Sequence, residues 1–241
     1  MNLRRTLTTL AVAASLAAIA PATASAGRPG PTPPAGLSKA TTSAAAAGVC
    51  NLSVPTRVAI SRPYMELPTR ITGNCTATGS FSLWTLTHPS KGEVTDVGFE
   101  EGDTTYPWDI YADDPIGNQK FVPKGAVDPA DQPLTQNTPI TTVKLAAGAW
   151  ISSTRTADVV TLKGTSLLYS VSKNVFFKRS ASGVFQYRDR GTTIWKNLKA
   201  VTTNTAGEAT MAYRYSPVRD YRFALYSTPI SWDLASATTT R

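Results

Sequence analysis

Val184 to Thr202 reads VFQYRDRGTTIWKNLKAVT. Val184–Arg188 is rich in β-forming residues and runs into Asp189-Arg190-Gly191, a turn signal. From Thr193 to Thr202, Ile194, Lys196, Leu198 and Ala200 alternate with Trp195, Asn197, Lys199 and Val201. A period of two places those sets on opposite faces of a strand.

The same grammar extends outward. Asp158–Lys163 and Thr165–Val171 are β-branched or apolar runs punctuated at Gly164. Asn204–Gly207 is a second turn, followed by Glu208–Tyr215, with Ala209, Met211 and Tyr213 on one face. Tyr221–Tyr226 is a further strand, and Ile230–Ala235 can close the set. Short strands of this number in under about 100 residues match a two-sheet sandwich. No stretch sustains a helical period over several turns, so the class is all-β.

Phe185-Gln186-Tyr187-Arg188 through Gly191, Trp195-Lys196-Asn197-Leu198-Lys199, Thr202–Gly207 and Tyr221-Arg222-Phe223 carry a family resemblance. Taken in that order, they resemble the tandem immunoglobulin-like modules of secreted actinobacterial proteins. The resemblance covers about Arg155 to Ala237, and Asn51–Leu145 resembles a divergent partner module. It implies two immunoglobulin-like sandwiches and spacer, adhesive or attachment roles. It implies no catalytic residue, and fold alone does not specify function.

In the first half, Arg57–Ile60, Thr69–Thr72, Ser80–Leu86 and Pro139–Leu145 read as strands, with looser loops between Thr87 and Gln136. Pro107, Pro115 and Pro123 argue against continuous pairing in that interval. Ahead of these strands, Arg4 and Arg5, the apolar Leu7–Ala20 and Ala24-Ser25-Ala26 match a secretory signal peptide over 1–26. Gly27–Gly48 is Pro-, Ala- and Ser-rich and offers little to bury, which reads as a flexible, disordered linker. The expected order is thus leader 1–26, linker 27–48, and sandwiches over 49–147 and 148–241. A secreted, extracellular chain follows, surface-associated or free, with no membrane span after the leader is removed.

Charge divides unevenly between the halves. Cys50–Leu145 has seven Lys and Arg against eleven Asp and Glu, and Ala146–Arg241 has thirteen against five. A basic surface on an exported protein favours an anionic or polysaccharide envelope polymer, or another exported protein, over nucleic acid. Lys178, Arg179, Arg188, Arg190, Lys196 and Lys199 fall on two neighbouring candidate strands and can share a face. Alternate charges on a solvated sheet face give the same pattern.

Cys50 and Cys75 are the only cysteines, and an even count in an oxidising compartment reads as one structural disulfide. Catalytic chemistry has little to work with. The single histidine, His88, sits in Thr-His-Pro-Ser with no Gly-x-Ser-x-Gly elbow, and zinc lacks enough His or Cys ligands. The expectation is a non-catalytic interaction protein with no resident cofactor. Glu100, Glu101, Asp103, Asp109, Asp113 and Asp114 crowd one region and could hold Ca²⁺, although their spacing matches no EF-hand. Tyr106, Trp108 and Tyr111 in the same region could stack on sugars, giving a carbohydrate-binding or Ca²⁺-dependent lectin-like alternative. Trp84, Trp150, Trp195 and Trp232 are expected in core or inter-sheet packing.

Overall fold

A strand of period two buries one face, and two such sheets must meet face to face to remove those faces from water. The computed structural model describes residues 48–241 and shows this twice over. The expected leader and all of the linker but Gly48 lie outside the described residues.

The first half contains β1 (Val49–Ser53), β2 (Arg57–Ile60), β3 (Tyr64–Gly73), β4 (Phe81–His88), β5 (Gly92–Glu100), β6 (Thr105–Tyr111), β7 (Gly117–Val127), β8 (Thr135–Gln136) and β9 (Ile140–Leu145). One sheet has the order β6-β3-β1-β8 and the facing sheet β2-β9-β7-β4-β5. Trp84, Phe121, Ile60, Leu86, Trp108 and Ile110 fill the space between them. The chain crosses between the two sheets seven times, and the crossing from β8 to β9 lies beside the end of β1. Asn137 holds that crossing: its side chain accepts from Leu52 N–H at 2.8 Å and donates to Leu52 C=O at 2.9 Å. Its own carbonyl accepts the Trp84 indole N–H at 2.9 Å. Cys50 and Cys75 are disulfide-bonded, joining β1 to the short 3₁₀ turn that ends β3.

The interval expected as loose loops, Thr87–Gln136, instead contains β5, β6 and β7. Its prolines sit where a sheet tolerates a missing donor. Pro107 is on β6, an edge strand, and Pro123 lies opposite Trp84 at a register shift between β4 and β7.

The second half contains β10 (Ala147–Thr156), β11 (Val159–Ser170), β12 (Val175–Lys178), β13 (Ser182–Asp189), β14 (Lys196–Thr202), β15 (Glu208–Arg214), β16 (Arg219–Leu225), β17 (Leu234–Ala235) and β18 (Thr239–Thr240). β11 pairs β10 on one side and both β12 and β15 on the other. The opposing sheet is β14-β13-β16, with β17 and β18 also on β16. Val160, Leu162, Phe185, Tyr221 and Phe223 form the core, and Ala209, Met211 and Tyr213 pack on it as their alternation requires. Each half is a two-sheet, immunoglobulin-like sandwich.

Three expectations change here. Gly164 does not end a strand, because β11 runs straight through it. A Cβ at that position would lie 2.7 Å from the Phe223 ring, so glycine permits close approach across the sandwich. Leu198 and Val201, which strict alternation separates, both pack on the core because a register shift interrupts β13 and β14 at Phe185/Gln186. Of the four tryptophans expected in packing, only Trp84 lies in a core. Trp150 is 62% exposed, since its neighbours Ala149 and Ile151 take the inward face of β10.

The described residues, Gly48–Arg241, belong to one compact unit. The chain passes from one core to the other within a single step, Ala146 being buried in the first and Ala147 packing on the second. Tyr169 of β11 is buried in the first core, its N–H donating to Ala146 C=O at 2.9 Å. Trp232 completes the junction. Its indole N–H donates to Val58 C=O at 2.7 Å, while Arg57 and Lys144 lie 4.2 and 4.4 Å from its ring centre.

Candidate functional site

β13 and β16 pair in register, with Gln186 opposite Arg222 and Arg188 opposite Asp220. Phe185, Tyr221 and Phe223 point into the core, so alternation turns Gln186, Arg188, Asp220 and Arg222 outward. The loop before β14 brings Trp195 onto that face. Its ring centre lies 4.9 Å from the Arg188 guanidinium and 4.3 Å from that of Arg222. Arg222 donates to Gln186 Oε1 at 2.7 Å, and Gln186 donates to Asn197 at 2.8 Å.

Asp220 is the one carboxylate of this group. It accepts from Thr240 at 2.7 Å, Arg188 at 2.9 Å and Arg190 at 3.2 Å. The Thr240 hydrogen bond, followed by the two arginines, holds its carboxyl below the usual range. Desolvation, and then the Arg188 charge, lowers Arg222 from its ordinary value, although a guanidinium stays protonated. Three guanidiniums, one carboxylate and one indole therefore share a sheet face, with Arg190 the most open cation at 61% side-chain exposure. Such a face attracts anions, and planar guanidiniums suit carboxylate or phosphate oxygens.

Of the six basic residues expected to share a face, Arg188 and Arg190 meet here. Lys196 lies against Asp189 at 3.6 Å, where Arg219 also binds at 2.6 Å. Lys178 belongs to the other sheet, where it and Lys163 both hold Glu208, at 2.8 and 2.9 Å. Arg179 donates to Ser180 C=O, and Lys199 is exposed on β14. Arg222, Asp220 and Trp195 were missing from the expected set. The alternation of Asp220 and Arg222 with Tyr221 and Phe223 is visible in the sequence, but the pairing of β13 with β16 across intervening strands is not.

The acidic and aromatic residues of the first half separate. Glu100, Glu101 and Asp103 belong to the turn before β6, closed by Asp103 N–H donating to Glu100 C=O at 2.8 Å. Asp113 and Asp114 follow β6, and Asp114 accepts the Tyr111 N–H at 2.9 Å. A seven-residue strand lies between the two groups, roughly 20 Å at strand rise. Among the described residues no three His, Cys, Asp or Glu side chains are placed to hold a metal ion. Trp108 is 2% exposed, edge-on to Phe121 in the core, so its ring has no face for a sugar. Tyr106 remains open beside a hollow of about 320 Å³ with Glu66 and Pro107. Tyr111 instead joins Tyr64, their ring centres 5.4 Å apart. The Tyr64 hydroxyl lies 2.6 Å from Glu66 and 2.8 Å from Asp109, and these carboxylates raise its pKa.

His88 borders a groove of about 580 Å³ with Lys120, Val122 and Ile140. Its Nε2 lies 3.1 Å from Ile116 C=O and must donate there, while Nδ1 accepts from Ser90 N–H at 3.2 Å. Both ring nitrogens are thus engaged by main chain.

Comparisons with known proteins give only distant likenesses. No protein-family model and no curated protein matches the chain. Among solved structures, Salmonella alpha-2-macroglobulin reacted with methylamine is similar at 9% identity and TM-score 0.40, over 80% of this chain and 14% of that one. The D0-D1 domain of intimin is similar at 12% identity and TM-score 0.26, over 80% of this chain and 98% of that one. Purple acid phosphatase PPD1 from yellow lupin is similar at 8% identity and TM-score 0.24, over 81% of this chain and 41% of that one. This chain therefore spans about a seventh of the macroglobulin it matches.

Proposed function

We propose that the protein is a non-catalytic, exported binding module that engages an anionic envelope polymer through the outer face of β13 and β16. The observation that supports this is the gathering of Arg188, Arg190 and Arg222 around Trp195 with Asp220 as their only carboxylate. Asp220 accounts for one of the three positive charges, which leaves the face cationic. Carboxylate or phosphate groups spaced along a polymer would meet Arg190 first, with Trp195 offering an apolar edge to the chain between them. The disulfide fits an oxidising compartment. Among the described residues no helix is long and apolar enough to cross a membrane. The resemblance over Arg155–Ala237 to modules of secreted actinobacterial proteins agrees with an adhesive or attachment role.

The test is retention of residues 44–241 on an immobilised polyuronate over a salt series. Binding should weaken steeply with salt, and Arg190→Ala or Arg222→Ala should each lower the slope of log affinity against log salt by about one. Variants that bind with the parent's affinity and slope would refute this site. A second reading is favoured by the Tyr64–Tyr111 ring pair. With the single Tyr64 hydroxyl proton held between Glu66 and Asp109, it would stack neutral glycan without Ca²⁺, and a salt-insensitive loss of binding in Tyr111→Ala would identify it.

A further inference from the structure

Most apolar side chains here are covered in part by a sheet or a neighbouring loop, but β12 is open along its whole length. Val175, Phe176 and Phe177 are 50%, 43% and 41% exposed, and Val171 before them is 37% exposed. Among the described residues β12 is also the end of its sheet, pairing β11 and no other strand. An apolar edge strand with unpaired main-chain groups is a template for another strand.

The register decides which groups are offered. Arg179 N–H donates to Ser166 C=O at 3.4 Å, so the Arg179 amide points toward β11. Alternation then turns the amides of Phe177 and Val175 toward β11, and those of Phe176 and Lys178 away from it. Tyr169, opposite Phe176, agrees: its N–H leaves in the other direction, to Ala146. Phe176 and Lys178 therefore present outward N–H and C=O groups.

We propose that this edge pairs with the same edge of a second copy of the chain, antiparallel and two-fold symmetric. Within β12, outward groups form two hydrogen-bonded pairs only when Phe176 of one copy faces Lys178 of the other, which centres the axis on Phe177. Four main-chain hydrogen bonds form, two from each copy. Phe177 then meets its own symmetry mate in a non-hydrogen-bonded pair, where side chains approach closest. Each Phe176 ring faces a Lys178 stem, and each Val175 faces an Arg179. No like charges stand directly opposite. A lysine ordinarily guards an edge strand against pairing, but here the charge of Lys178 is already met by Glu208 at 2.8 Å. Two-fold pairing closes on itself and uses the exposed edge of both copies, unlike a head-to-tail contact.

The patch is small. Four partly exposed apolar side chains on each copy amount to roughly 500 Å² in all, below the ~1,200 Å² of stable complexes. The dimer should therefore be weak and form only toward millimolar concentration.

The experiment is sedimentation equilibrium of residues 44–241 from about 10 µM to 1 mM, with amide exchange measured at both ends. The average mass should rise toward that of two copies. Protection should appear at the amides of Phe176 and Lys178, while those of Val175 and Phe177 stay as they were. Phe177→Glu, at a surface position, should keep the melting temperature and remain monomeric at 1 mM. Phe176→Pro should lose more association than Phe176→Ala, because proline removes an N–H that β11 does not use. A parent chain that stays monomeric at 1 mM, or dimerisation without the alternating protection, would overturn the proposal. In the first case the edge would be left to a strand of another protein.

Discussion

Trp232 is the side chain on which the junction between the two sandwiches rests, and replacing it with alanine tests that reading. The indole N–H bond to Val58 C=O should contribute about 1 kcal/mol net. Arg57 and Lys144, both near 4 Å from the ring, should add about 0.5–1 kcal/mol each at this partly exposed site. Lost apolar burial of roughly 50–100 Å² adds about 1–2 kcal/mol. These contributions overlap, because one ring makes them all, so the expected loss in Trp232→Ala is about 3 kcal/mol. For a chain of this size that lowers the melting temperature by roughly 6–12 °C. Trp232→Phe keeps most of the area and loses the N–H, and should cost about 1–2 kcal/mol. Urea unfolding followed by far-UV circular dichroism gives both values. It should also show the parent's single transition broaden or split in Trp232→Ala, as the two cores unfold less cooperatively. A loss under 1 kcal/mol in Trp232→Ala with one unchanged transition would refute the role given to this residue. The weight would then fall on Tyr169 and the main-chain bond from Leu145 N–H to Ile230 C=O at 2.9 Å.

Two further outcomes follow from the described contacts. Asn137→Ala should cost about 2–3 kcal/mol, measured by the same urea titration, because the Leu52 N–H and C=O lose their partners together. Acid should weaken the second half. Hydrogen bonds from Lys178 and Lys163 hold the Glu208 carboxyl down to about 2, and Asp189 and Asp220 are also lowered, by Arg219 and by Thr240 with its neighbouring arginines. A carboxyl held lower in the folded chain than in the unfolded one stabilises the fold above the unfolded value. That contribution is lost as pH falls through the folded one. Melting temperatures should thus decline from about pH 4.5 toward pH 2, and Glu208→Gln should flatten part of that decline.

Two features of the sequence carried most of the fold. The alternation of Ala209, Met211 and Tyr213 and the turn signals at Asp189–Gly191 and Asn204–Gly207 were readable because strand faces and tight turns are local properties. The first half was harder to read, since Pro107 and Pro123 argue against strands until one knows that the first is on an edge and the second at a register shift. Those are facts about neighbours distant in sequence. The candidate site shows the same division. Arg188 and Arg190 were visible as basic residues beside a turn, while Arg222 and Trp195 joined them only through the pairing of β13 with β16 and the path of the loop before β14. The crowded carboxylates illustrate the opposite error. Closeness in sequence, from Glu100 to Asp114, became separation along a strand.

What the sequence alone determined is the all-β class, the cysteine pair and the surplus of positive charge in the second half, since each depends on residue type and short spacing. Tertiary structure decided which cations share a face, which tryptophans reach solvent, and that β12 is left as an open edge. Those outcomes depend on strand order and register, and a shift of one residue in register sends every side chain of a strand to the other face.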